Sequence, residues 1–189
     1  LSAIHTQQIP HVFTPATLAE AEASKPATLI TPTPRDDWRH LPFVTIDPAD
    51  AKDHDDAVHA MPDPETKGGF LVTVAIADVA AYVHEGASMD REARLRGNSV
   101  YFPDRVVPML PERISNDLCS LKPDEDRAAL AMRLTIGADG HVRHHRLHRI
   151  LMRSHAKLSY EHAFALHEGH DPHHPAVPWL KELFRAWTA

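Results

Sequence analysis

The stretch "RAALAMRLTIGADGHVRHHRLHRILMRS", residues 127–154, carries the most regular structural pattern in the chain. Apolar and polar side chains alternate up to Ile136, and the alternation resumes at Val142. The sequence Gly-Ala-Asp-Gly, residues 137–140, lies between them and has the composition of a tight turn. Because alternation places one side of each strand on a core, the stretch predicts a long antiparallel hairpin.

Upstream of this hairpin, shorter apolar runs predict further strands. "LPFVTID" (41–47) is one strand, and "AVHAMPDPETKGGFLVTVAIADVAAYV" (57–83) predicts a strand, a Pro/Gly turn and another strand. Residues 71–76 are apolar on both faces, which predicts a strand that is covered on both sides.

Helical segments fall between and after these strands. "GASMDREARLRGN" (86–98) predicts a short helix capped by Ser88, and "PERISNDLCSL" (111–121) predicts a second. "SYEHAFALHEG" (159–169) predicts a helix with Ser159 as its cap, and the tail predicts an amphipathic helical turn or two. Strands and helices do not alternate regularly. The pattern therefore predicts an α+β fold, a mixed and mostly antiparallel sheet with helices packed around it.

The sequence divides into two parts by composition. Residues 1–40 are rich in Pro, Ala and Thr and contain one helical candidate, in which Thr14 can be the N-cap before Pro15. This part is interpreted as a lead-in segment, and residues 41–189 as belonging to the domain itself. The chain begins with Leu1, which fits an excerpt of a longer protein.

Charge and cysteine content limit the class of protein only loosely. The net charge of −6 argues against nucleic-acid binding, yet many of the acids share one loop, where bound cations would offset them. A single cysteine, Cys119, excludes an internal disulfide and suits a reducing cytoplasm. No apolar run approaches the roughly 20 residues that cross a bilayer, so no membrane partner is expected.

The acidic loop in "FVTIDPADAKDHDDAVHA" (43–60) is the candidate site. Five aspartates follow the apolar strand: Asp47, Asp50, Asp53, Asp55 and Asp56. Carboxylates at this spacing repel one another, and a hard divalent cation such as Mg²⁺, which prefers oxygen ligands, would resolve the repulsion. Two such ions form the usual clamp for phosphodiester hydrolysis.

Three other interpretations of this loop are an EF-hand, an aspartyl-phosphate phosphatase and a solvated acidic turn. An EF-hand lacks its glycine and flanking helices here, and an aspartyl-phosphate phosphatase would need the acidic pair directly after the strand. A solvated acidic turn is the remaining alternative. The apolar strand before the loop and Ala57-Val58 after it favour a metal site, and the spacing alone leaves its reaction open.

Several segments together resemble the ribonuclease II/ribonuclease R family, and ribonuclease R more closely. They are "TIDPADAKDHDDAV", "VAIADVAAYV", "MDREARLRGNSVYFPDRVVPMLPERISNDLCSL" and "KLSYEHA", in family order from about residue 41 to about residue 166. The resemblance implies the front half of an RNB-type catalytic domain. It also implies 3′→5′ hydrolysis of single-stranded RNA to nucleoside 5′-monophosphates, with Mg²⁺ as cofactor and Mn²⁺ as a substitute.

The resemblance also implies roles for individual residues. Asp47, Asp53, Asp55 and Asp56 match the four acidic positions that hold metal, and of these Asp55 and Asp56 are the catalytic candidates, Asp55 being tied most directly to cleavage. Asp50 falls at a variable position and is left out of the site.

Tyr101 matches the aromatic residue that stacks on the 3′-terminal base. Without the resemblance, its neighbours Phe102 and Pro103 would predict a core residue. Arg105 is a weaker substrate-binding candidate. Phosphate contact and an exposed helix face remain equal alternatives for a set of three arginines, Arg91, Arg94 and Arg96.

The family's later half, with an arginine-rich segment for the scissile phosphate, has no counterpart in residues 158–189. The isolated chain is therefore expected to have weak or no activity, because a cationic clamp contributes strongly to phosphoryl transfer. The alternative is a non-catalytic truncated relative that binds RNA or protein.

Overall fold

The central sheet contains six of the eight strands in the computed structural model, which describes residues 2–189. The strands are β1 (Asp36–Asp37), β2 (Phe43–Asp47), β3 (Asp56–Pro62), β4 (Phe70–Ala77), β5 (Val100–Phe102), β6 (Arg105–Val107), β7 (Asp126–Ile136) and β8 (Val142–Ser159). The central order is β1-β8-β2-β3-β4-β7, and β7 also pairs with β8. The α+β prediction with a mostly antiparallel sheet is confirmed.

Strand β8 closes this sheet into a ring. Its first part pairs antiparallel with β7, from Val142 to Arg153, and its last part pairs in parallel with β2, from Ser154 to Ser159. Strands β2, β3, β4, β7 and β8 therefore all have hydrogen-bonded neighbours on both sides. The long hairpin predicted from the sequence is confirmed, and its second strand is longer than the alternating stretch because it supports two partners.

Small side chains fill the inside of the ring. Ala57, Ala75 and Ala131 face one another across β3, β4 and β7 and are essentially inaccessible to solvent. A ring of so few strands leaves little interior volume, so alanine fits where a larger side chain would force the strands apart. Phe43 of β2 is fully buried and belongs to the same core.

Five α-helices surround the sheet: α1 (Ser2–Thr6), α2 (Pro15–Ala23), α3 (Ser88–Arg96), α4 (Tyr160–His167) and α5 (Val177–Thr188). A 3₁₀ turn spans Val79–Ala81 and a π-helical turn spans Ile114–Leu118. A second, smaller core between α4, α5 and β2 contains Leu158 and Leu180. None of the described helices is long and apolar enough to cross a membrane.

The caps of α2 and α4 follow the sequence prediction. The Thr14 and Ser159 side chains accept hydrogen bonds from the amides of Thr17 and His162. Such caps satisfy amides that have no partner within the helix.

Four local predictions need correction. Ser88 is the first residue of α3, and Ala87 is its N-cap. The segment 111–121 is helical as predicted, but only over residues 112–118, and most of it is π-helical, with the Cys119 amide donating to the Ile114 carbonyl. The tail helix α5 has 12 residues, more than the predicted turn or two, since its apolar side packs on α4 and β3. Strand β4 is only partly covered on its outer side, where Val72 and Val74 are half-buried and Ile76 is 47% exposed.

The lead-in segment is tied to the rest of the chain. The Thr14 hydroxyl donates to Glu92 of α3 over 3.1 Å, and Arg35 forms a 2.7 Å ion pair with Asp78 after β4. The division at residue 40 stays a prediction, since these contacts show attachment and not a domain boundary.

A buried histidine inside the ring predicts an acid-sensitive stability. His59 of β3 is 7% exposed, and burial, with the nearby charges of Arg133 and His40, lowers its pKa from 6.5 to about 4. Between these pH values the unfolded chain binds a proton that the folded chain does not, so stability falls as the pH drops from 6.5 to about 4. The loss from this one group approaches about 3 kcal/mol.

We expect the His59→Gln variant to lose less stability on acidification than the unchanged protein. Urea unfolding at about pH 7 and about pH 4.5 measures the acid-induced loss of unfolding free energy in each protein. Every other titrating group is common to the two proteins. Equal acid-induced losses in the two proteins would contradict a neutral buried His59.

Candidate active site

The acidic loop connects two strands that separate at their ends. β2 ends at Asp47 and β3 begins at Asp56, and the register of this antiparallel pair is limited to Val44 opposite Val58. Residues 48–55 therefore leave the sheet as an open loop. Asp47 is 8% exposed, whereas Asp53, Asp55 and Asp56 are exposed.

The backbone of this loop is held by the segment after the π-helical turn. The Leu121 amide donates to the His54 carbonyl over 2.6 Å, and the His54 amide donates to Ser120 Oγ over 3.3 Å. Ser120 Oγ in turn donates to the Lys52 carbonyl over 3.3 Å. Arg127 supports this segment by donating from Nε to the Ser120 carbonyl over 2.9 Å.

His54 fixes the orientation of the first carboxylate. Its Nδ1 lies 2.6 Å from Asp47 Oδ2, and both residues are buried. Because a carboxylate can only accept, Nδ1–H is the donor. His54 Nε2 is buried and has no hydrogen-bond partner within residues 2–189. The hydrogen bond engages one oxygen of Asp47.

Burial and electrostatic repulsion together raise the pKa of two carboxyl groups in the loop, Asp55 and Asp56. Partial burial, followed by the negative charges of Asp53 and Asp47, raises the pKa of Asp55 above its ordinary value. Partial burial and the charges of Asp47 and Asp55 likewise raise the pKa of Asp56. A bound cation would reverse this repulsion, because an opposite charge stabilises the ionised carboxylate.

The chemistry of the donors fits a hard divalent cation, but the donors do not converge in this conformation. Carboxylate oxygens are the ligands that Mg²⁺ prefers. Within the described chain, no three acidic, histidine or cysteine side chains are placed to hold one metal ion. The assignment of Asp47, Asp53, Asp55 and Asp56 as ligands therefore stays a prediction, and the exposed carboxylates would have to reorient to bind one ion.

The substrate-binding candidates lie on a separate hairpin formed by β5 and β6. Tyr101 pairs with Val106 and is 69% exposed, so the core interpretation of this tyrosine is wrong. Arg105 is exposed and forms a 2.8 Å ion pair with the neighbouring Asp104. Within residues 2–189, no hydrogen bond or ion pair joins this hairpin to the aspartates of the loop.

The arginines of α3 differ in what they contact. Arg96 is buried, pairs with Glu92 and lies over the Phe13 ring at 3.7 Å, which is a structural role. Arg94 is exposed and pairs with Asp90 on its own helix, and Arg91 donates to Ser88.

The sequence interpretation missed His54 and Ser120. His54 lies between two aspartates in the sequence, and nothing in that position indicated that it would contact Asp47. Ser120 is far from the loop along the chain and appeared only as part of a family-like segment. Both are identified by contacts that the tertiary fold creates.

Comparison with known proteins identifies the family. The RNB domain family matches residues 35–186. Ribonuclease R of Vibrio cholerae is 41% identical over 195 residues, covering 98% of this chain and 23% of that protein. The chain thus spans about a quarter of the length of the relatives that it matches.

Solved structures show the same fold. Mycoplasma genitalium RNase R in complex with double-stranded RNA superposes with a TM-score of 0.88 and 30% identity, covering 97% of this chain and 33% of that one. Yeast Ssd1, described as a pseudonuclease, matches with a TM-score of 0.63 and 22% identity over 78% of this chain and 18% of that one, which shows the fold alone. The resemblance found in the sequence is confirmed, and this chain belongs to the RNB domain family.

Proposed function

We propose that the protein to which this chain belongs is a 3′→5′ exoribonuclease that hydrolyses single-stranded RNA to nucleoside 5′-monophosphates with Mg²⁺. One observation carries the proposal. The four aspartates at the family's acidic positions share a single loop, where partial burial, and then the negative charges of neighbouring aspartates, raise the pKa of Asp55 and Asp56. Mn²⁺ is the expected substitute, since it accepts the same oxygen ligands.

In this proposal the chain contributes one carboxylate with a fixed orientation and others that can reorient when a metal ion binds. Asp47 is held by His54 in a fixed orientation. Asp55 and Asp56 follow at the start of β3, where the Asp55 carbonyl is anchored by the Ala77 amide over 2.8 Å. Mg²⁺, when bound there, would supply electrostatic stabilisation of the charge that develops on the phosphate. Asp55 would orient the attacking water, with Asp56 as the second catalytic carboxylate.

The proposed substrate is an RNA strand whose end base stacks on Tyr101, with Arg105 near the phosphates. Every base presents a π-face, so an exposed tyrosine suits an enzyme that does not select sequence. The RNA complexes of the M. genitalium relative support RNA as the ligand. We expect a cytoplasmic protein, because a chain with a single cysteine suits a reducing compartment.

A direct assay tests the proposal. Single-stranded RNA labelled at its 5′ end is incubated with Mg²⁺ or with EDTA, using both this chain and the longest native form of the protein. We expect a ladder shortening from the 3′ end, only with Mg²⁺, in the longest form. The isolated chain should be slow or inactive, and rapid trimming by it would contradict that part of the proposal.

A second candidate is a non-catalytic RNA- or protein-binding module. It is favoured by the absence of three converging ligands within residues 2–189. RNA binding that is indifferent to Mg²⁺, in a long form that cleaves nothing, would support this candidate over hydrolysis.

Replacing Tyr101 with alanine should remove the stacking surface for the terminal base. We expect single-stranded RNA affinity to fall by roughly 1–3 kcal/mol and the smallest product to become longer. Val106→Ala, at the position opposite Tyr101, is the matched control. Unchanged affinity and product length in the Tyr101 variant would exclude the stacking role.

A further inference from the structure

Two arginines that have no hydrogen-bond or ion-pair partner within residues 2–189 lie opposite each other across the long hairpin. Arg133 of β7 lies directly opposite Arg146 of β8. Neither forms a hydrogen bond or an ion pair within the described chain, whereas every other arginine in residues 2–189 has at least one. Cross-strand neighbours have Cβ atoms about 4.5–5.5 Å apart, so both guanidinium groups can reach one point.

The pair lies at one end of the ring, on its inward side. Along β7 and β8 this side continues from Ala129 and Ala131 in the core to Arg133, and from Ile150 to Arg146, where exposure increases. Thr73 lies opposite Arg133 on β4. Its hydroxyl is buried, with the residue 1% exposed, and has no protein partner.

Aromatic rings position Arg133. Its guanidinium lies over the Trp38 ring at 4.1 Å from the centroid, and Trp38 packs on the His148 ring at 4.6 Å. His148 Nδ1 lies 3.0 Å from Asp36, the nearby carboxylate, so Asp36 already has a partner. Arg133 is thus partly desolvated and restricted, while Arg146 is exposed and free to adjust.

Partial burial lowers the pKa of Arg133, because it removes water from the charged guanidinium group. An anion bound by both guanidinium groups would offset this lost hydration, and the planar fork of each group matches a phosphate.

We propose that Arg133 and Arg146 form a phosphate-binding site at the end of the ring, separate from the acidic loop. The ligand is the phosphate group of an RNA strand or of a free nucleotide. This proposal rests on the proposed function only in its choice of phosphate among anions. The unpartnered Thr73 hydroxyl lies on the same face, on the strand next to Arg133.

The test measures binding without metal, so that it is independent of cleavage. Binding of single-stranded RNA, of AMP and of inorganic phosphate is measured in EDTA for the unchanged chain and for Arg146→Glu and Arg146→Gln. Arg143→Glu is the matched control, because it changes the charge equally on the same strand but at an exposed side chain already paired with Asp139.

We expect both Arg146 variants to weaken phosphate-ligand binding by about tenfold or more, the scale of one charge-assisted hydrogen bond. The slope of log affinity for RNA against log salt should fall by about 1. Arg143→Glu should not change the slope in this way.

Each outcome decides the proposal. Loss of RNA, AMP and phosphate binding in the Arg146 variants alone supports the site, and loss confined to AMP and phosphate assigns the source to a free nucleotide. Equal weakening by Arg143→Glu and Arg146→Glu would reduce the effect to general charge and overturn the site. Unchanged binding in both Arg146 variants would also overturn it. Loss of cleavage with binding intact would bear on the proposed function and not on this site.

Discussion

Replacing Asp55 with asparagine is expected to reduce Mg²⁺-dependent trimming of RNA by about a hundredfold to a thousandfold or more in the longest native form. The reason is that the amide keeps the size of the side chain but loses the charge that would hold a cation and orient water. Partial burial, and then the neighbouring charges of Asp53 and Asp47, raise the pKa of Asp55, so the metal-free variant should unfold at the same temperature or higher. Single-turnover cleavage of labelled RNA and thermal unfolding measure the two effects.

Asp50→Asn is the matched control for this experiment. Asp50 lies in the same loop, and its replacement by asparagine removes the same charge, but Asp50 is outside the acidic pattern. We expect its trimming rate to stay within a few-fold of the unchanged protein. Intact trimming in the Asp55 variant, or equal losses in both, would contradict a specific role for Asp55.

Replacing Arg35 with methionine is expected to destabilise the fold by about 3–5 kcal/mol. Arg35 and Asp78 form a 2.7 Å ion pair whose side chains are 0% and 2% exposed. The variant leaves the Asp78 carboxylate buried with Arg149 as its remaining charged partner, at 3.3 Å. Urea unfolding at neutral pH gives the free-energy difference.

Two further variants serve as controls for the result at Arg35. Arg105→Met removes an exposed arginine from its ion pair with Asp104 and should leave the free energy of unfolding nearly unchanged. Adding Asp78→Asn to Arg35→Met should recover part of the loss, since it removes the uncompensated charge. If Arg35→Met lowers the free energy of unfolding by less than about 1 kcal/mol, Arg149 by itself compensates the charge of the buried carboxylate.

The Arg35 pair also shows how the lead-in segment is joined to the ring. From composition, residues 1–40 are a lead-in segment rich in Pro, Ala and Thr with one helical candidate, and nothing in them indicates that Arg35 is buried. Its partner, Asp78, lies between β4 and a 3₁₀ turn, 43 positions away. Only the packed structure brings the two together, and it does so where the Asp78 amide also donates to Ala128 of β7.

Local patterns determined those features that depend on near neighbours in the chain. Alternation predicted the β7–β8 hairpin because the period of a strand appears directly in the order of side chains. The caps of α2 and α4 were predictable because a capping hydroxyl and its amide lie three positions apart. The acidic loop and its chemistry were visible for the same reason, since Asp47 to Asp56 lie within one short segment.

Tertiary structure alone decided which distant groups meet. Alternation cannot show that β8 also pairs with β2, and so it could not predict the closed ring or its alanine-filled interior. The same holds for the hydrogen bonds of Ser120 to the loop and for Arg133 facing Arg146 beside Trp38. These contacts join residues far apart in sequence, and their energies depend on burial and distance, which exist only once the chain has folded.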